Sequence, residues 1–211
     1  MGMSTLLDIV GATIIGGLML VSIHQLNQSA QEKTTHFHGD LISQQNLVSI
    51  VELIEYDFAR IGYCENIDSI PSPKDMIVAA DSTSITFWTD LAQSESNFRG
   101  DGHRDLLTYE LGPDINETPN PNDKILYRYE FGSPKNASNL GITEFKIRYY
   151  DNMKFRLPYP IDTKLISYLQ IDLKVEDCYG YDTENPDKTH DEKFSTVFWR
   201  QIRMAAKNIS R

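Results

Sequence analysis

Hydrophobic residues follow three rhythms along the 211-residue chain. From Leu6 to Ile23 the side chains are apolar, small or uncharged on every side, and Asp8 carries the single charge. A helix that is apolar all round belongs in a protein core or in lipid. At about 1.5 Å per residue this stretch covers roughly 27 Å, close to the ~30 Å hydrocarbon thickness of a bilayer. No Lys or Arg precedes it, and the helical pattern continues through His24-Gln25-Leu26-Asn27-Gln28, so it reads as a retained anchor rather than a cleaved signal peptide. Thr34 to Gly39 is polar. A one-sided stripe then appears: Leu47, Val51, Ile54, Phe58 and Ile61 step by four, three, four and three, as a core-facing helix requires. Glu52, Glu55, Asp57 and Arg60 lie mainly off that stripe, and Gly62 suits the left-handed residue that ends a helix. The expected division is a membrane or helix-core segment at 1–33, an amphipathic second half of the helix at 34–62, and a β-rich head at 63–211.

Beyond Gly62 the period changes from that of a helix to that of strands. Met76–Ala80 and Thr83–Thr89 are β-rich and joined by Asp81-Ser82, a short turn that suits a hairpin. Asp105–Leu111, Lys124–Phe131 and Ile142–Tyr150 follow, separated by linkers at 112–123 and 132–141 rich in Pro, Asn, Asp and Gly. Leu165–Glu176 sets Leu169, Ile171, Leu173 and Val175 against Tyr168, Gln170, Asp172 and Lys174, which predicts one apolar face. Lys193–Ala205 is the last strand. A long helix followed by an antiparallel meander is an α+β architecture.

Charge narrows the function classes. The net charge is −10, with 30 acidic against 20 basic residues, so a nucleic-acid footprint, which needs a basic face, is not expected. Two cysteines, Cys64 and Cys178, are too few for a tetrahedral zinc site. They form either one bridge, worth about 4–5 kcal/mol for so long a loop in the chain-entropy model, or two unpaired buried thiols. The acidic loop after Val175 offers Asp177, Asp182, Glu184 and Asp187 as calcium candidates, since hard cations take clustered oxygens; a solvated acidic loop is the alternative. His36 and His38 stand two apart and share no helix face. His103-Arg104-Asp105 lacks the Gly-rich loop and Asp-Phe-Gly partners of a kinase. No nucleophile elbow, phosphate loop or His-Glu-x-x-His is present, so neither an enzyme nor a cofactor is expected. Asn-x-Ser/Thr sequons at Asn116, Asn136 and Asn208 carry no information without a compartment.

Ser4-Thr5-Leu6-Leu7-Asp8 followed by an apolar helix resembles the start of type IV pilins and pseudopilins. In that family a short leader ends in Gly and the mature chain begins Phe-Thr-Leu-Ile-Glu. Thr5, Leu6, Leu7 and Asp8 align with Thr, Leu, Ile and Glu, while Ser4 replaces the aromatic, Met3 stands at the Gly position, and Gly2 lies one residue earlier. Asp57-Phe58-Ala59-Arg60-Ile61-Gly62-Tyr63 resembles the helix ending of PilW-type minor pilins and of the J-class minor pseudopilin of type II secretion. The order Asp101-Gly102, Leu107-Thr108-Tyr109, Leu126-Tyr127-Arg128, Phe145 to Asp151, then Arg200 and Arg203 is similar to the heads of the same family.

The resemblance implies a pilin-like fold, a long helix on an antiparallel sheet, and a structural role in assembling a type IV pilus or secretion filament. It implies other pilin or pseudopilin subunits, an inner-membrane assembly platform, membrane lipid and a prepilin peptidase acting around Gly2, Met3 and Ser4 as partners. The chain would be a single-pass protein of a bacterial inner membrane with its head in the periplasm or on an extracellular filament. Asp8 would offset a neighbouring subunit's N-terminal amine, its own helix dipole helping, and Gly16-Gly17 would let the helix bend between lipid and filament. The alternative is a single-pass anchored binding module whose acidic β head captures a ligand or cation.

Overall fold

The computed structural model describes residues 2–70, 72–91, 100–130, 133–135, 140–177 and 197–208. It divides into two compact units, Met1–Leu41 and Ile42–Arg211, and the second is called the head below. One helix, α1 (Gly2–Ala59), runs through the polar stretch 34–39 without a break. Eight strands follow: β1 (Ile77–Ala80), β2 (Ser84–Thr89), β3 (Asp105–Asp114), β4 (Lys124–Glu130), β5 (Ser133–Lys135), β6 (Ile142–Tyr150), β7 (Tyr168–Glu176) and β8 (Val197–Ala205). They form one antiparallel sheet in the order β1-β2-β3-β4-β6-β7-β8, with β5 paired on β4. The α+β expectation of a long helix and an antiparallel sheet is met.

Within the head, the predicted stripe packs on the sheet. Val51, Ile54, Phe58 and Ile61 are buried and Leu47 is partly so, joined by Ile50. Phe58 stands edge-on to Phe87 of β2 and to Tyr109 of β3, each with ring centroids 5.4 Å apart, a favourable arrangement for aromatic quadrupoles. Strand alternation supplies the other wall of this core. Ile85 and Phe87, Leu107 and Tyr109, Phe145 and Ile147, and Leu169, Ile171 and Leu173 are all buried on it. Gly62 takes φ +70°, and a Cβ there would lie 3.0 Å from Met76 Cγ, so both the backbone and the space call for glycine.

Three features depart from expectation. Ser133–Lys135 pairs on β4 inside a segment read as linker, because three residues with a Pro are too short and too poor in β-formers to announce a strand. Residues Thr163–Leu165 form a 3-10 turn capped by Asp162, so β7 starts at Tyr168 rather than Leu165. The polar side of β7 is also covered: Gln170 and Asp172 are buried, the latter paired with Arg148 of β6 and accepting from Gln201 Nε2 of β8 at 2.7 Å. The sheet is thin between β4 and β6, which share only Lys124↔Ile142. The β1–β2 turn closes that place: Ile147 N–H donates to Ser82 O at 2.7 Å and the Tyr149 hydroxyl to Asp81 O at 2.8 Å.

Candidate functional site

The first functional element is the apolar stretch of α1. Leu6, Leu7, Ile9, Val10, Ile14, Ile15, Leu18, Met19, Leu20, Val21 and Ile23 are all exposed. None of the apolar window is buried, and among the described residues α1 is the one helix long and apolar enough to cross a membrane. Surface of that kind needs a cover of lipid or protein. Asp8 is exposed within it. At Gly16 and Gly17 a Cβ would meet nothing within 4 Å, so no packing inside the chain calls for glycine there.

The second element is the lock between the end of α1 and the sheet. Asp57, read in the sequence as off the core stripe, is buried beneath it at 1% exposure. Its carboxylate takes Arg128 in two-point contact, Nε to Oδ2 at 2.6 Å and Nη2 to Oδ1 at 3.1 Å, and also accepts from the Tyr109 hydroxyl. Arg128 pairs in turn with Glu130, and the register Tyr109↔Arg128 sets those two side chains abreast under the helix. A carboxylate in the last helical turn faces the negative end of the helix dipole, so it persists there only with a fixed cation. Burial alone would pull the Arg128 guanidinium's pKa down, but the bonds from Asp57 and Glu130 outweigh it and raise the value. Tyr109 is pushed up by burial and by the Asp57 charge, and stays a neutral donor.

One turn later the chain is held by Asp90, which is fully buried. Its Oδ2 accepts from the backbone N–H of Glu65 and of Gly102, each at 3.0 Å, and its Oδ1 from that of Asp101 at 2.9 Å. Gly100 presses on the same carboxylate, since a Cβ there would fall 2.0 Å from Oδ1. The Arg60 guanidinium donates to Asp90 O and lies 5.2 Å from the ring centroids of both Tyr56 and Tyr63. Asp101-Gly102, Asp57, Gly62 and Arg128, all parts of the family-like motifs, thus serve one junction.

Asp105 stands beside this junction, its Oδ2 accepting from Leu91 N–H at 2.8 Å. Burial raises its carboxyl pKa above the ordinary 3.8, with the charges of Asp101, Asp90 and Glu130 adding to the effect. The folded state therefore holds this proton more tightly than the unfolded chain does. The group's favourable contribution is complete below the unfolded value and is lost as pH rises through the folded one. Asp105→Asn keeps an oxygen for Leu91 and removes the titration. Urea unfolding across a pH series should show the parent losing stability upward from about pH 4, where the unfolded carboxyl titrates, with that part of the slope gone in the variant. An unchanged slope would assign it elsewhere.

The remaining expected sites are described only in part. Cys64 is buried with Sγ 3.6 Å from Asp90 Oδ2, and burial, aided by that carboxylate, pushes its thiol up. Cys178 lies outside the described residues, as do Asp182, Glu184 and Asp187, and of the calcium candidates only Asp177 is described. Among the described residues no group of three His, Cys, Asp or Glu is placed to hold a metal. Asn120 and Glu176, both fully buried, form a loop pin: Asn120 Nδ2 donates to Oε2 at 3.0 Å, while the Lys174 ammonium stands 2.6 Å from Oε1. His103, Arg104 and Asp105 have separate roles. His103 is exposed near Asp101, Arg104 covers the Trp88 ring, and Asp105 is buried.

No protein-family model matches the chain, and no curated protein matches it. Among solved structures it is similar to a type IV-like pilin from Thermus thermophilus, at 10% identity over 80% of this chain and 98% of that one, with a TM-score of 0.45.

Proposed function

We propose that this chain is a minor pilin or pseudopilin: a structural subunit held in a bacterial inner membrane by the first part of α1 and assembled with similar subunits into a pilus or secretion-type filament. The observation that carries the reading is the fully exposed apolar stretch from Leu6 to Ile23 with a single acid, Asp8, in the helix whose last turns pack on an antiparallel sheet. Before assembly, lipid covers that surface. After assembly, neighbouring helices cover it, and Asp8 meets the N-terminal ammonium of an adjacent subunit. An unpaired carboxylate costs roughly 2.5–3.5 kcal/mol at mid-bilayer on insertion scales and less at the edge where Asp8 lies, so pairing there favours one register without outweighing the apolar packing. Processing around Gly2, Met3 and Ser4 by a prepilin peptidase, and bending at Gly16-Gly17, belong to the same reading. The lock at Asp57 holds the head at a fixed setting on its own part of the helix, as head-to-head contacts need.

Asp8→Ala tests it. Produced in the native host, the variant should reach the membrane fraction at parental levels and fall at least about tenfold in sheared filaments, since it loses a charge pair and not apolar area. Equal incorporation of variant and parent would refute the role of Asp8. A parent recovered only in membranes would favour the anchored binding module.

A further inference from the structure

Glu176 is a fully buried carboxylate with a different chemical group at each oxygen. Asn120 Nδ2 donates to Oε2 at 3.0 Å, and Lys174 Nζ stands 2.6 Å from Oε1. Among the described residues Oε1 accepts no hydrogen bond, so the Lys174 nitrogen meets it outside the directions of one. Asn120 is itself fully buried, while the Lys174 side chain is 30% exposed. The carbonyl end of Asn120 is engaged too, its Oδ1 accepting from Asn122 N–H at 2.9 Å. An amine, a carboxamide, a carboxylate that touches both, and an N–H on the carboxamide oxygen are the parts an acyl transfer needs.

The sheet delivers these groups to one place. A row of paired residues, Lys124, Ile142 and Val175, runs across β4, β6 and β7, so the loop just ahead of β4 comes beside the end of β7. In that loop Asn120 sits between Pro119 and Pro121, which restrict its backbone, and Asp123 N–H donates to Asn120 O at 3.3 Å. Pro121 matters chemically as well. An Asn side chain is ordinarily attacked by the backbone N–H of the next residue, and proline has none. Lys174 is the nucleophile at hand.

We propose that the protein joins Lys174 to Asn120 by an amide bond of its own making, with Glu176 as the proton carrier. Glu176 takes a proton from the Lys174 ammonium. The free amine, on its flexible stem, closes to the ~3–3.5 Å of a near-attack pair and adds to Asn120 Cγ. Asn122 N–H holds the oxygen that becomes negative. The Nζ–Cγ bond forms and the Cγ–Nδ2 bond breaks. In all, two protons pass from Nζ through Glu176 to Nδ2, which leaves as ammonium, and Glu176 ends as the carboxylate it began. Atoms and charge balance with no oxidant, reductant or cofactor. Burial of Asn120 and Glu176 keeps water from competing with the amine. The bond ties the loop ahead of β4 to β7 at the seam where β4 and β6 share a single pair. A tie there resists separation of the two parts of the sheet, whatever the chain assembles with.

Mass spectrometry of the purified full-length protein tests this. The parent should be one ammonia lighter than its sequence requires. A tryptic digest should yield peptide 105–124 joined to peptide 165–188, uncut at Lys174, which also separates this bond from loss of ammonia at any other Asn. Lys174→Arg and Glu176→Gln should each show the full mass and separate peptides, the first for want of an amine and the second for want of a proton carrier. Near-UV circular dichroism checks that both variants fold. On a denaturing gel the parent, with a closed loop from 120 to 174, should run faster than Lys174→Arg, and its urea midpoint should be higher. A parent at full mass with separate peptides overturns the proposal, as does a folded Glu176→Gln variant joined as completely as the parent.

Discussion

Asp57→Ala should destabilise the head by about 3–5 kcal/mol, the usual cost of removing one partner from a buried ion pair. The carboxylate is 1% exposed and receives two bonds from Arg128 and one from Tyr109. Without it, the Arg128 guanidinium keeps only Glu130 and the Tyr109 hydroxyl is left without that acceptor in a buried place. Replacing Asp57 by Leu and Arg128 by Met together should cost less than either single change, because both desolvated charges go at once. Urea unfolding of the full-length protein in detergent, followed by Trp fluorescence, reads all the variants. A loss under about 1 kcal/mol for Asp57→Ala would show the pair to be solvent-screened in the way of surface pairs, and the lock idea would fall.

Asp90→Ala should cost about 3 kcal/mol and loosen one place in particular. Three backbone N–H groups, those of Glu65, Asp101 and Gly102, lose their acceptor, and an unmade bond to a shielded donor costs about 1–3 kcal/mol. Partial access of water to these loops keeps the total below the sum. Hydrogen exchange should accelerate at those three amides well before it does in β7, whose Leu169, Ile171, Leu173 and Val175 are all fully buried. Asp90→Asn should fall between parent and Ala, since one of its two oxygens remains. Exchange unchanged at the three amides would mean that the loops hold without the carboxylate.

Much of the architecture was legible because it depends on period. The steps of four and three from Leu47 to Ile61 turned a helix face inward, and alternation placed Ile85, Phe87, Leu107 and Leu169 in the core. Gly62 was legible from its position after the last stripe residue, and its φ of +70° agrees. Asp57 was not legible as a core residue. A burial pattern keyed to hydrophobicity assigns a carboxylate to the surface, and its partner Arg128 lies 71 residues away in sequence. The one signal available was the Asp-x-x-Arg-x-Gly-Tyr motif, which marks the position without giving the reason for it. Asp90 was missed for the same cause: its donors come from Glu65 on one side and Asp101-Gly102 on the other.

By itself the sequence determined that an apolar, singly charged helix begins the chain, that the helix acquires one core-facing stripe, and that an antiparallel meander follows. Those features are set by the local order of apolar and polar side chains and by turn residues, which act over a few positions. Only the tertiary structure decided which polar groups are drawn inside and what they hold. Asp57 with Arg128, Asp90 with its loops, and Asp172 with Arg148 are each assembled from distant segments. A buried charge is stable only where folding delivers its partner, and no local pattern records that meeting.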